Sequence, residues 1–154
     1  MMRTLTRGAL AGAAGTTALN TVTYADMALR GRPASSTPEQ TIDLLAGKAG
    51  VGIPGKGAQR EARLTGLGAL NGIAVGVGAG TATAVLRRAG LGLPWWAGAA
   101  VTAGLAMAAS DIPLAQLGIS DPRTWSAKDW LSDVVPHLAY GLVTYTAAAG
   151  RGRP

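Results

Sequence analysis

The residues able to do chemistry converge on one stretch, WSAKDWLSDVVPHLAYGLVTYTAAAG, from Trp125 to Gly150. It holds the only histidine, His137, with Asp133 four residues before it and Tyr140 three residues after. On a helix these positions share one face, and Thr144 continues it. Pro136 lacks an N–H, so it frees a backbone carbonyl near His137. Asp111 and Asp133 each lie eleven residues from Pro122. In an antiparallel helical hairpin turning at Pro122, both carboxylates sit at one depth, about 10 Å inside the boundary for a rise of about 1.5 Å per residue.

Three chemistries fit this constellation. A histidine hydrogen-bonded to a carboxylate ties two helices together, since buried polar groups are normally satisfied. A chain of Asp and His inside a membrane segment can relay protons or ions. An Asp and a His at i, i+4 can share a metal or act as an acid–base pair. A second histidine is missing for a metal set, and no HExxH or GxSxG motif is present. The expectation is therefore neither an enzyme nor a protein with a metal or cofactor. Asp26, four residues before Arg30, belongs to the same half of the membrane as Asp111, Asp133, His137 and Tyr140. Its simplest partner is Arg30, through an interfacial i, i+4 bridge.

The elements that must position these groups read as membrane helices. Of 154 residues, 48% are hydrophobic and only 14% charged, with 23 glycines and no phenylalanine. Soluble domains carry about 25% charge, whereas helices in lipid use small residues to approach closely. No cysteine is present, which excludes disulfides, Cys–zinc sites and thiol catalysis. The net charge of +6 does not make a nucleic-acid surface, because the basic residues flank apolar runs instead of clustering with aromatics.

Four spans are expected, over residues 6–29, 64–86, 95–117 and 127–149, with a polar connector over 30–63. The first run competes with a signal peptide, but it is Ala/Gly/Thr-rich and has no convincing cleavage site. In the connector, Thr37 reads as an N-cap before Pro38 and Glu39, opening a short amphipathic helix to Ala46 at the membrane interface. The later VGIPGKG lacks the spacing of a phosphate-binding loop. Leu64 to Leu86 has no charge, and Gly68, Gly72, Gly76 and Gly80 recur every four residues along it. That row forms a groove for another backbone, in the same chain or in a second one. Trp95 and Trp96 open the third span, and Trp125 and Trp130 flank the start of the fourth, as interfacial anchors. Pro113 is expected to kink or unwind the third span near its end. Ser126 and Asp129 make a capping-box-like start for the fourth.

Orientation is weakly encoded. Arg3, Arg7, Arg87, Arg88, Arg151 and Arg153 fall on one side, and eight Lys/Arg of the connector and last turn on the other. The reading leans towards a cytoplasmic connector.

The run PLAQLGISDPRTWSAKDWLSDVVPHLAYGLV resembles the C-terminal part of the YagU-like group of small inner-membrane proteins. The similarity rests on Pro113, Leu117, Gly118, Pro122, Trp125, Trp130, Asp133 and His137, about a fifth of the chain. More broadly, the chain is similar to uncharacterised actinobacterial multi-spanning proteins. The resemblance implies a polytopic inner-membrane protein with a role in acid stress. From the residues themselves, the expected function is a non-enzymatic accessory or packing subunit. Its partners would be the lipid bilayer and other membrane helices, as a homo-oligomer or larger complex, with no nucleic acid. The alternative is a proton- or ion-conducting protein using the Asp/His cluster, and an intramembrane metal or acid–base enzyme comes third.

Overall fold

Among the described residues five α-helices follow one another and no strand is formed. They are α1 (Met2–Arg30), α2 (Thr37–Lys48), α3 (Ala58–Arg88), α4 (Trp95–Gln116) and α5 (Ala127–Ala149), with a 3-10 turn at Pro122–Thr124 before α5. The computed structural model describes residues 1–149. Gly150, and Arg151 and Arg153 of the side count, lie outside the described residues.

The all-α expectation holds. Two helices, α3 and α4, are long and apolar enough to cross a membrane. α1 and α5 are also long, 29 and 23 residues, but they are more polar. Threonines recur along α1, and α5 opens with Lys128, Asp129 and Asp133.

Helix ends follow local chemistry. α1 stops at Gly31, whose left-handed φ of 62° suits a residue without Cβ. α2 begins one residue earlier than expected. Ser36 is its N-cap and Thr37 is already helical, with Ser35 Oγ accepting from the Thr37 N–H at 3.2 Å. α3 begins at Ala58, six residues before the expected boundary, because Gly57 O accepts from the N–H groups of Arg60 and Glu61. α4 runs through Pro113 to Gln116 without unwinding. Only one turn follows the proline, so the N–H it lacks costs little of the ladder.

The four long helices alternate in direction. α1 packs along both α3 and α5, and α5 packs along α4. α2 folds back along the start of α3. Pro38 lies against Gly68, Thr65 donates to Glu39 at 3.0 Å, and Arg60 pairs with Asp43.

The interior is built from small residues. Its largest fully buried side chains are Tyr140, Thr102 and Thr144. With so little bulk, van der Waals contact requires the helices themselves to come together. Along the α1–α3 seam they do. A Cβ added at Gly80 would meet the backbone of Gly12 and Gly8, and one at Gly8 would stand 2.7 Å from Thr81 Cα.

Candidate functional site: a polar cluster where α4 and α5 meet

The start of α5 is held by a reciprocal capping box. The Ser126 N–H donates to Asp129 Oδ2 at 3.0 Å, and Asp129 N–H donates to Ser126 Oγ at 3.3 Å. Along the helix it opens, Asp133, His137, Tyr140 and Thr144 lie opposite the exposed face of Leu131, Val135, Leu138 and Leu142.

His137 Nδ1 lies 2.8 Å from the Asp133 carbonyl oxygen and 3.3 Å from Asp133 Oδ1. The ring therefore takes the Asp133 carbonyl, not the Ser132 carbonyl that Pro136 leaves without its N–H. With oxygen acceptors on both counts, Nδ1 is assigned the proton, and in the neutral ring Nε2 is left as the basic nitrogen. The His137 side chain is 12% exposed. Asp133 Oδ2 is buried without a hydrogen-bond partner among the described residues. Asp111, across the hairpin on α4, accepts from Ser110 Oγ at 3.1 Å and lies within charge range of both Asp133 and His137. Among the described residues no three His, Cys, Asp or Glu side chains converge as a metal set.

The other two residues expected in this cluster have different partners. Asp26 is clamped by two arginines: Arg30 Nε at 2.5 Å from Oδ1, and Arg32 Nε at 2.5 Å from Oδ2. Arg30 Nη2 also donates to Ser132 Oγ at 2.8 Å, joining the end of α1 to the start of α5. Tyr140, 1% exposed, donates its hydroxyl to Gly76 O on α3 at 2.6 Å. One turn further, Thr144 Oγ1 donates to Ala11 O on α1 at 3.4 Å. Asp111, Asp133 and His137 form the polar group, and Tyr140 is a tie between helices.

The glycine row of α3 is divided among several neighbours. Gly68 receives Pro38 of α2, Gly76 receives Thr16 and the Tyr140 ring, and Gly80 receives the α1 backbone. Gly72 has nothing within 4 Å of the place a Cβ would occupy. Trp95 and Trp96 stand 65% and 64% exposed at the start of α4. Trp125 instead closes its own turn, edge-on to Trp130 with centroids 5.1 Å apart and Nε1 donating to Ser120 Oγ at 2.9 Å. Within that turn the Arg123 guanidinium and backbone N–H bond Asp121 and hold its carboxyl below the ordinary value.

Tyr145 is the residue sequence reasoning missed. Its hydroxyl donates to Leu93 O at 2.6 Å and accepts from Leu93 N–H at 2.9 Å. Its ring lies 4.1 Å beneath the Arg87 guanidinium carbon and fills the space a Cβ at Gly98 would need. The one available signal was a bulky aromatic in a tail of small residues, with a glycine at the matching height of the neighbouring helix.

No family model, no curated protein and no solved structure matches the chain.

Proposed function

We propose that the chain is a four-span inner-membrane protein acting as a non-enzymatic packing or accessory subunit. The observation that carries this reading is how the interior hydroxyls are used. Those of Tyr140, Tyr145 and Thr144 bond backbone groups of α3, the turn before α4, and α1. They hold helices together. The polarity of α1 and α5 is compatible with lipid for a similar reason. Thr16, Thr17, Thr21 and Thr146 each donate to the carbonyl four residues back, so their hydroxyls are satisfied inside the helix. Large apolar side chains such as Leu10, Leu70, Val101 and Leu131 face outward, which suits hydrocarbon better than water. The resemblance of the run from Pro113 to Val143 to the YagU-like group agrees with a polytopic inner-membrane protein.

A second reading, proton or ion conduction, is favoured by one feature: Asp133 Oδ2 is buried without a partner on the residue whose carbonyl and Oδ1 face His137 Nδ1. Purified protein in liposomes separates the two. The accessory reading expects no proton or cation flux between about pH 5 and 8, the range in which histidine changes charge. It also expects an assembly larger than one chain in lipid nanodiscs, which Gly72→Leu disrupts without unfolding the protein, since that position is open. Flux abolished by both Asp133→Asn and His137→Ala would replace it with conduction. A monomer indifferent to Gly72→Leu would remove the subunit role.

A further inference from the structure

The charges of this chain are segregated along its long axis. No Asp or Glu occurs before Asp26, between Glu61 and Asp111, or after Asp133. The helix ends remote from the connector are the start of α1, the end of α3, the start of α4 and the end of α5. They therefore carry Arg3, Arg7, Arg87 and Arg88 with no carboxylate side chain to neutralise them. All eight acidic residues lie in the half towards the connector, and three are paired with arginines: Asp26 with Arg30 and Arg32, Asp43 with Arg60, and Asp121 with Arg123.

At the acid-free end a groove of about 580 Å³ opens between the first turns of α1 and the end of α5. Arg3, Thr6, Arg7 and Leu10 line it from one face of α1, and Ala147 closes it from α5. The polarity of the groove changes with depth. Arg3 and Arg7 are one turn apart near the helix start, while Leu10 and Ala11 lie deeper by up to about 12 Å at a rise of about 1.5 Å per residue. Both arginines are exposed, and neither has a salt-bridge partner among the described residues. Two guanidinia above an apolar trough match a phosphate head above an acyl chain, and basic pockets between membrane helices are the sites that hold anionic headgroups.

We infer that this groove binds an anionic phospholipid, with Arg3 and Arg7 on the headgroup phosphate and the acyl chain along Leu10, Ala11 and Ala147. The inference rests on the membrane reading above. A free phosphate compound would need the arginines but not the trough, and the trough is what assigns the ligand to lipid.

The test starts with flotation of the full-length protein on neutral phosphatidylcholine vesicles, which examines the membrane reading alone. Native mass spectrometry of detergent-purified protein supplied with phosphatidylglycerol or phosphatidylcholine then examines the site. Wild type is expected to retain phosphatidylglycerol preferentially. Arg3→Gln with Arg7→Gln should lower that retention about 30-fold, given the attraction per basic residue near an anionic surface. Lys48→Gln with Lys56→Gln, at the other end, should leave it within about threefold on the same scale. Equal retention of the two lipids, or retention indifferent to the arginine pair, would overturn the site while leaving the membrane reading intact. So would displacement of bound phosphatidylglycerol by glycerol 3-phosphate alone, which would make it a free-phosphate site. Failure to float would remove both readings.

Discussion

Tyr140 combines two roles that a chain without phenylalanine has few residues to fill. Its ring occupies space beside Gly15 and Gly76, and its hydroxyl reaches a carbonyl 64 positions away in sequence. The two contributions separate by mutation. Tyr140→Phe keeps the ring and should cost about 0.5–1.5 kcal/mol in reversible unfolding, the usual net worth of a hydrogen bond. Tyr140→Ala should cost about 3–5 kcal/mol, because it also leaves a cavity between three helices. Near-equal losses from the two would mean that the ring contributes little. Asp121 offers a residue-scale acid response. Its carboxyl is held below the ordinary value by Arg123, so its contribution is present above the unfolded-state pKa and is lost as pH falls through the lowered folded value. Trp125, bonded to Ser120 beside that turn, should report the loss as a fluorescence change on acidification that Asp121→Asn abolishes. The pair is at the surface, so the change should shrink with added salt.

At the scale of elements, the α1–α3 seam determines what each glycine tolerates. Gly80 and Gly72 lie on the same row of α3 and have the same propensity cost, yet their surroundings are opposite. A Cβ at Gly80 enters the backbone of α1, which cannot move aside as a flexible side chain could. Gly80→Ala should therefore destabilise by about 1–3 kcal/mol, as overpacking does. Gly72→Ala meets open space and should be neutral or stabilising by up to about 1 kcal/mol, the gain in helix propensity. Thermal unfolding of both variants in one detergent checks this, and the seam is misplaced if their order is reversed. The α4–α5 hairpin is tied differently. Tyr145 sits on Gly98, and a Cβ at Gly141 would meet the α4 backbone at Ala99 and Ala103.

For the whole molecule, the proposed four spans make a topological prediction. The chain has no cysteine, so single cysteines can be introduced on a silent background. Thr4→Cys and Gly92→Cys should be labelled by an impermeant maleimide from one side of the membrane, and Gly50→Cys and Thr124→Cys from the other. Labelling of Thr4→Cys and Gly50→Cys from one side would mean that α1 does not cross. The charge segregation belongs to this scale as well, since the alternating helices bring arginines distant in sequence to one end.

By itself the sequence determined what is local. Helix formation, the capping box at Ser126 and Asp129, and the shared face of Asp133 and His137 depend on spacing within one helix. Such features survive whichever neighbours a helix acquires. Tertiary structure decided the contacts that depend on packing order. α1 came to lie between α3 and α5 and covered Gly76 and Gly80, α2 folded back over Gly68, and Gly72 was left open. Tyr140 turned to a carbonyl on α3 although its position beside His137 pointed to the polar cluster. Asp26 lies in the expected half of the molecule, but two nearby guanidinia reach it at contact distance. The physical reason is common to these cases. A hydrogen bond or a backbone contact forms with whatever group lies within a few ångströms, and in a bundle of small-residue helices that group is set by which backbones can touch.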